Sequence, residues 1–226
     1  MQDQIIYEDN HLIAVNKNPS QIVQGDKTGD LSLDQEIKDY MKQAYNKPGD
    51  VFLGVIHRLD RPVSGVIVYA RTSKALSRMN EMFREGQVEK VYWAIVKNHP
   101  DITEGELSHY LKKNEKQNKS YAYDKPTSGA KHARLAYRMI SRSDNYTLLE
   151  VNLETGRHHQ IRCQLSKMGW QVKGDLKYGF PRSNPDASIS LHARKLVFTH
   201  PVKKERMEIV ADPPADNLWK ALTESL

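Results

Sequence analysis

Two pairs of apolar runs, each split by only a few polar residues, limit the folds open to this chain more than any other feature. IIYEDNHLIAVNK opens it, with a strand, a turn at Glu8 to Asn10 and a second strand from Leu12 to Val15. Further along, ARLAYRMI and YTLLEVNL flank the polar stretch Ser141 to Asn145. Separations this short make hairpins, whose strands must run antiparallel, because a parallel pair needs a crossover of roughly a dozen residues or more.

The remaining signals mix strands and helices without a regular alternation. LSLDQEIKDYMKQA carries Leu33, Ile37, Tyr40 and Met41 at helical spacing after a cap at Ser32, and Pro48 and Gly49 stop it. VFLGVIHR reads as extended and VIVYA as a β-rich apolar run. Thr72 or Ser73 then caps a helix with Leu76, Met79 and Phe83 on its inner face and Gly86 at its end. KVYWAIV is a further strand, TGRHHQIRCQLSKMG a turn feeding a helix with Ile161, Leu165 and Met168 on one face, and LHARKLVFTH a strand before a short helix around Leu218 to Leu222. With no βαβ repeat, the fold expected is α+β, a mixed, largely antiparallel central sheet flanked by helices. No internal repeat, low-complexity tail or Pro/Gly linker divides the 226 residues, so one domain spanning 1–226 is expected.

Composition narrows the setting. Mean hydropathy of −0.70 leaves no candidate membrane span, and MQDQIIYEDN has neither the basic nor the apolar part of a secretory signal. Cys163 is the only cysteine, which excludes an internal disulfide and fits a reducing cytoplasm. The net charge of +6 is concentrated: residues 112–142 hold nine basic and two acidic residues, a local balance of +7. A solvated face is the plain reading of such a run. Tyr110, Tyr121 and Tyr123, interleaved with its lysines, tilt it towards nucleic acid, where cations meet phosphates and rings stack on bases.

Familiar catalytic patterns fail one after another. His158, His159, Cys163 and His192 lack the spacing of a metal site, and no CxxC or HExxH is present. There is no GxxxxGK[ST] or GxGxxG to cradle phosphates. Cys163 falls on a half-buried helix, the place of a structural thiol, and Ser64 sits in VSGV rather than GxSxG. Asp60 remains, a carboxylate between Arg58 and Arg61, readable either as a solvated ion-pair cluster or as a working acid group.

HRLDRPVSG at 57–65 resembles the HRLDxxTSG signature of the RluA-type pseudouridine synthases. EKVYWAIV at 89–96 resembles their K-x-Y-x-A-x-V strand, TGRHHQIR at 155–162 their TGRxHQIR, and GDLKYG, LHARKLVFTHP and the opening YEDNHLIAVNK follow the family's order along nearly the whole chain. The resemblance implies an isomerase that detaches uracil from its ribose in RNA, turns it and rejoins it through C5, with no metal or organic cofactor.

It also implies roles. Asp60 is the catalytic group, acting at C1′ as nucleophile or at C2′ as base. Arg157 is its charge partner, since a guanidinium holds a carboxylate bidentately and favours its charged form. Tyr92 stacks on the uracil and handles protons there. The base must leave the RNA stack, and Arg58 fills the gap. Ile161 packs on the other side of the uracil, while His57, Lys90 and Arg61 are placed among the RNA contacts. Val63 replaces the signature's Thr, and KNPSQ replaces an early KPxG segment, which alters the first loop. With the first hairpin at its start, the chain is expected to lack an N-terminal S4-like domain. The partner expected is RNA, ribosomal first and transfer RNA second, with no membrane, no obligate protein partner and a monomer as the simplest state. Two other readings stay open: an RNA-binding protein that lost catalysis, and an Asp-dependent glycosidase-type hydrolase, which would need a second carboxylate as acid.

Overall fold

The computed structural model describes residues 1–25, 29–224 and 226. Two compact units divide the chain, one comprising Met1–Val88 with Ala193–Pro213, the other Glu89–His192 with Pro214–Leu226.

The first unit opens with the expected hairpin, β1 (Ile5–Glu8) and β2 (Leu12–Lys17), followed by α1 (Leu33–Ala44), the two-residue β3 (Gly54–Val55), β4 (Ser64–Ala70) and α2 (Ser73–Arg84). β2 and β4 pair antiparallel from Leu12↔Ala70 to Lys17↔Gly65. Every residue of β4 is buried, because both faces of the sheet are covered. Leu12, Ala14, Val66 and Val68 join Ala75 and Met79 of α2 in one core, whereas Ile13, Val15, Ile67 and Tyr69 join Leu33, Ile37 and Met41 of α1 in another. The strand period of two thus feeds two cores from one continuous apolar run. Thr72 caps α2 as expected, its Oγ accepting from the Ala75 N–H at 3.2 Å. Of VFLGVIHR only Gly54–Val55 is strand, a shorter element than the reading of the sequence gives.

The second unit contains β5 (Glu89–Lys97), β6 (Glu104–Asn114), β7 (Lys119–Tyr123), β8 (Lys131–Arg142), β9 (Tyr146–Leu153) and α3 (Gln160–Lys167), in spatial strand order β5-β9-β8-β6-β7, every adjacent pair antiparallel. β8 and β9 form the expected second hairpin, with an irregularity between Met139 and Ser141. β6 and β7 are elements the sequence marks only by charge. Their alternation is real, since Leu107, His109 and Leu111 point to one face, but Lys112 and Lys113 follow directly and hide it. That face packs on α3 through Leu111, Ala133 and Cys163. Residues 160–165 of α3 are all buried, whereas Met168, expected on its inner face, lies just beyond its end and is 41% exposed.

The chain continues into β10 (Leu191–Thr199), whose part from Ala193 belongs to the first unit beside β4, and β11 (Arg206–Val210) pairs with it. α4 (Asn217–Thr223), capped by Asp216, returns to the second unit, where Trp219 and Leu222 pack on Ile95 and Leu148. The fold is α+β with largely antiparallel strands, as expected. No helix among the described residues is long and apolar enough to cross a membrane.

Candidate active site

In the first unit, Asp60 opens a tight turn closed by the Val63 N–H donating to its carbonyl at 3.0 Å. The turn is gripped from below by a residue the sequence reading passed over. Lys17, at the end of β2, is fully buried, and its Nζ donates to the carbonyls of Val63 (2.6 Å), Asn18 (3.0 Å) and Arg61 (3.1 Å). Three acceptors match the three N–H bonds of an ammonium. Burial pushes Lys17 down to about 7, against the pull of the nearby Asp60 carboxylate, while Arg61 pushes the same way as burial. The altered KNPSQ loop adds a further tie, the Ser20 N–H donating to the Arg61 carbonyl at 2.9 Å, with Ser20 held at φ +71°.

The basic neighbours of Asp60 differ in their commitments. Arg61 forms an ion pair with Asp30 at 2.7 Å, both side chains half exposed. Arg58 is exposed and has no ion-pair or hydrogen-bond partner among the described residues. His57 is half-buried. Its Nε2 accepts from the Val68 N–H at 3.1 Å, and its ring stacks on Phe83 with centroids 5.0 Å apart.

In the second unit, β5 carries Lys90 and Tyr92. Burial lowers the Lys90 pKa. Tyr92 is half-buried opposite Val151 and Tyr137, on the sheet face that α3 covers. The TGRHHQIR segment is built around Gln160: its Oε1 accepts from the Thr155 hydroxyl (2.7 Å) and the Arg157 N–H (3.0 Å), and its Nε2 donates to the Arg134 carbonyl (3.0 Å). His159 takes a left-handed φ of +52° to start the helix, and Ile161 is buried behind it.

The two arginines of this segment have opposite surroundings. Arg157 is exposed and its Nε donates to the His132 carbonyl at 2.9 Å. With Lys113, Lys131, His158 and Ser120 it lines a cavity of about 380 Å³. Arg162, which the sequence reading did not single out, is buried and meets Asp175 bidentately at 2.7 and 2.9 Å. Asp175 and Tyr178 come from GDLKYG, and the Tyr178 ring lies 5.1 Å from the Arg162 guanidinium. The second arginine inside a motif already recognised was the signal available; its spacing says nothing about Asp175.

The His/Cys group disperses into structural contacts. His158 stacks on His159 at 3.8 Å, His159 Nδ1 is 3.0 Å from the Tyr178 hydroxyl, and buried Cys163 donates to the Ser120 carbonyl, its thiol pushed up to about 11 by burial. His192 is buried edge-on to Trp219.

The family model described as RNA pseudouridylate synthase matches residues 11–167. The ribosomal large subunit pseudouridine synthase D of Zymomonas mobilis is 31% identical over 94% of this chain and 70% of its own length. The tRNA pseudouridine synthase C of Vibrio cholerae is 29% identical over 97% of this chain and 93% of its own. Among solved structures, human RNA pseudouridylate synthase domain containing 4 matches with a TM-score of 0.81 at 23% identity, covering 96% of this chain and 91% of that one, which shows the shared fold. A family model spanning most of the chain, joined to relatives at this identity over nearly its full length, places the protein in the RluA-type RNA pseudouridylate synthase family, isomerases that convert uridine in RNA to pseudouridine.

Proposed function

We propose that this chain isomerises one specific uridine in structured RNA, ribosomal RNA first and transfer RNA second, with Asp60 as the catalytic carboxylate. The observation that carries the proposal is the tethered turn: the carbonyls of Arg61 and Val63, which follow Asp60, are both tied to the buried Lys17 ammonium, whose third bond goes to Asn18 in its own loop. The C1′–N1 bond breaks, C1′ bonds to C5, the C5 proton leaves and N1 gains one, so no oxidant or cofactor enters. Asp60 attacks C1′ or removes the C2′ proton, and the ring of Tyr92 stacks on the uracil with its hydroxyl at the reacting base. Arg58, exposed and uncommitted, occupies the gap left by the flipped base. Ile161 is assigned the apolar contact to the uracil, and His57, Lys90 and Arg61 the supporting RNA contacts. Residues 1–226 act as one catalytic domain, a cytoplasmic monomer.

Two guanidiniums compete for the charge beside the reaction. Arg157 is the residue the motif expectation names, but an exposed side chain on a basic cavity wall fits a phosphate. Buried Arg162 fits the fixed cation better, because low dielectric strengthens its field and Asp175 fixes its plane. Relatives named for both ribosomal and transfer RNA support either target.

The test is release of tritium from uracil C5 of labelled ribosomal and transfer RNA. Release is expected from one of them, and Asp60→Asn abolishes it while keeping RNA affinity; turnover retained by Asp60→Asn removes Asp60 from the chemistry. In the same assay Arg157→Gln raises the RNA Kd, whereas Arg162→Lys lowers kcat at unchanged Kd. The reverse pattern restores Arg157 as the charge partner.

A further inference from the structure

The three tyrosines of the basic segment share one sheet face. In the register of β6, β7 and β8, Tyr110 stands opposite Tyr123 on one side and His132 on the other, so three rings form a single row across three strands. The Tyr110 and His132 rings are 5.3 Å apart. Two residues along, about 7 Å on strand geometry, Lys112 stands opposite Tyr121 on the same face. Tyr121 and Tyr123 are 40% and 39% exposed, and His132 and Lys112 are exposed. Tyrosine favours strands, so one exposed ring needs no explanation. A row of three beside a lysine–tyrosine pair does, because α3 covers the opposite face here, and α4 meets this face at Ile95, Leu148 and Ile140 of β5, β9 and β8, away from the row.

We infer that this face is a stacking platform for single-stranded RNA. It rests on the reading that the chain acts on RNA. Sheet aromatics stack two or three bases with little dependence on their identity, and the face is the right size for that number. Charge favours the same occupant. Lys112 has no ion pair among the described residues, and Lys119, at the sheet edge, sits between the Tyr121 ring at 5.6 Å and the Tyr178 ring at 5.1 Å. The other end of the face is closed to a polyanion: Arg134 is held by Glu106 and Glu154, and Arg138 by Glu150. An apolar partner surface, or a second copy of this chain with its net charge of +6, would leave those lysines without a counter-charge.

The experiment is fluorescence anisotropy of the full chain with a labelled single-stranded oligoribonucleotide and a duplex of the same length. Tyr110→Leu/Tyr123→Ser is expected to weaken the single strand at least tenfold, the duplex much less, and to leave the slope of log K against log salt unchanged. Lys112→Gln should reduce that slope by about 0.7. Tyr121→Ser, at the exposed edge, repeats the ring effect if the double variant fails to fold, and exposed Lys220→Gln on α4 is the control. Equal loss for strand and duplex, no loss, or a concentration-dependent dimer that the ring variants abolish overturns the platform. Tritium release by wild type alongside undiminished strand binding by the ring variants sinks the platform alone; absence of both release and RNA binding sinks the functional reading beneath it.

Discussion

Lys17 carries an uncommon burden for a lysine, since a fully buried ammonium must justify its desolvation. Its three carbonyl bonds offset that cost, and two of them, to Arg61 and Val63, fix the turn that follows Asp60, the carboxylate proposed for the chemistry. Replacement by Met leaves those carbonyls without their donor, at about 1–3 kcal/mol for each buried group left unsatisfied, so a stability loss of roughly 2–4 kcal/mol is expected after relaxation. The pH dependence has a definite sign. Lys17 is lowered from 10.5 to about 7 in the fold, so between those values the unfolded chain holds a proton the folded chain has lost, and stability rises with pH across that window. Denaturant melts of wild type and Lys17→Met at pH 6 and pH 9 should show the gap between them widening at the higher pH. A gap that stays flat would mean that Lys17 is not desolvated as its burial implies. None of this was legible from KNPSQ, because the partners of Lys17 include Arg61 and Val63, 44 and 46 residues away.

At the scale of elements, the hairpins and helices were legible because each is specified locally: β1–β2 by its turn, α2 by the Thr72 cap, α1 by the spacing of Leu33, Ile37 and Met41, although Ser32, expected to cap α1, donates its hydroxyl to Asp34 and makes no side-chain cap bond. HRLDRPVSG, KVYWAIV and TGRHHQIR were legible for the same reason, each being a contiguous string. What escaped is what distant segments make together, such as Arg162 on α3 with Asp175, or β6–β7, whose alternation runs straight into a charged hairpin. The glycine of VSG joins both kinds. Gly65 is the second residue of β4, at φ +116°, and a Cβ there would run into the backbone of Ala193 on β10. Gly65→Ala therefore combines a disfavoured backbone angle with a collision that no side chain can relieve, and about 3 kcal/mol or more should be lost, with the Asp60 turn displaced. Gly49→Ala, where nothing lies within 4 Å, is the matched comparison and should be nearly neutral. Equal stability of the two variants in urea would show that β4 and β10 are not held this close.

Across the whole molecule, the basic charge and the residues proposed for the chemistry fall on different stretches of chain. Residues 112–142 hold a balance of +7 out of a net +6, so the rest is close to neutral. Asp60, Tyr92 and Arg162 all lie outside that segment. Cations that meet phosphates read no bases, so on the proposed function this segment is expected to set how strongly RNA is held and not which uridine is chosen. Lys112 stands on one face of β6, while Lys113 and Lys131 line the cavity on the other, so the triple variant Lys112→Gln/Lys113→Gln/Lys131→Gln removes charge from both. Its log K should fall less steeply with log salt, by about 0.7 for each cation that meets a single-strand phosphate and less for Lys113, which Glu115 already partners at 2.6 Å. Ribosomal and transfer RNA fragments should weaken by the same factor. The ratio of tritium release from the two should then stay at its wild-type value at saturating RNA, because selection is made at the flipped base and its neighbours. A ratio that moves when these cations are removed would locate target choice in the basic segment itself, and the division between holding and choosing would fall.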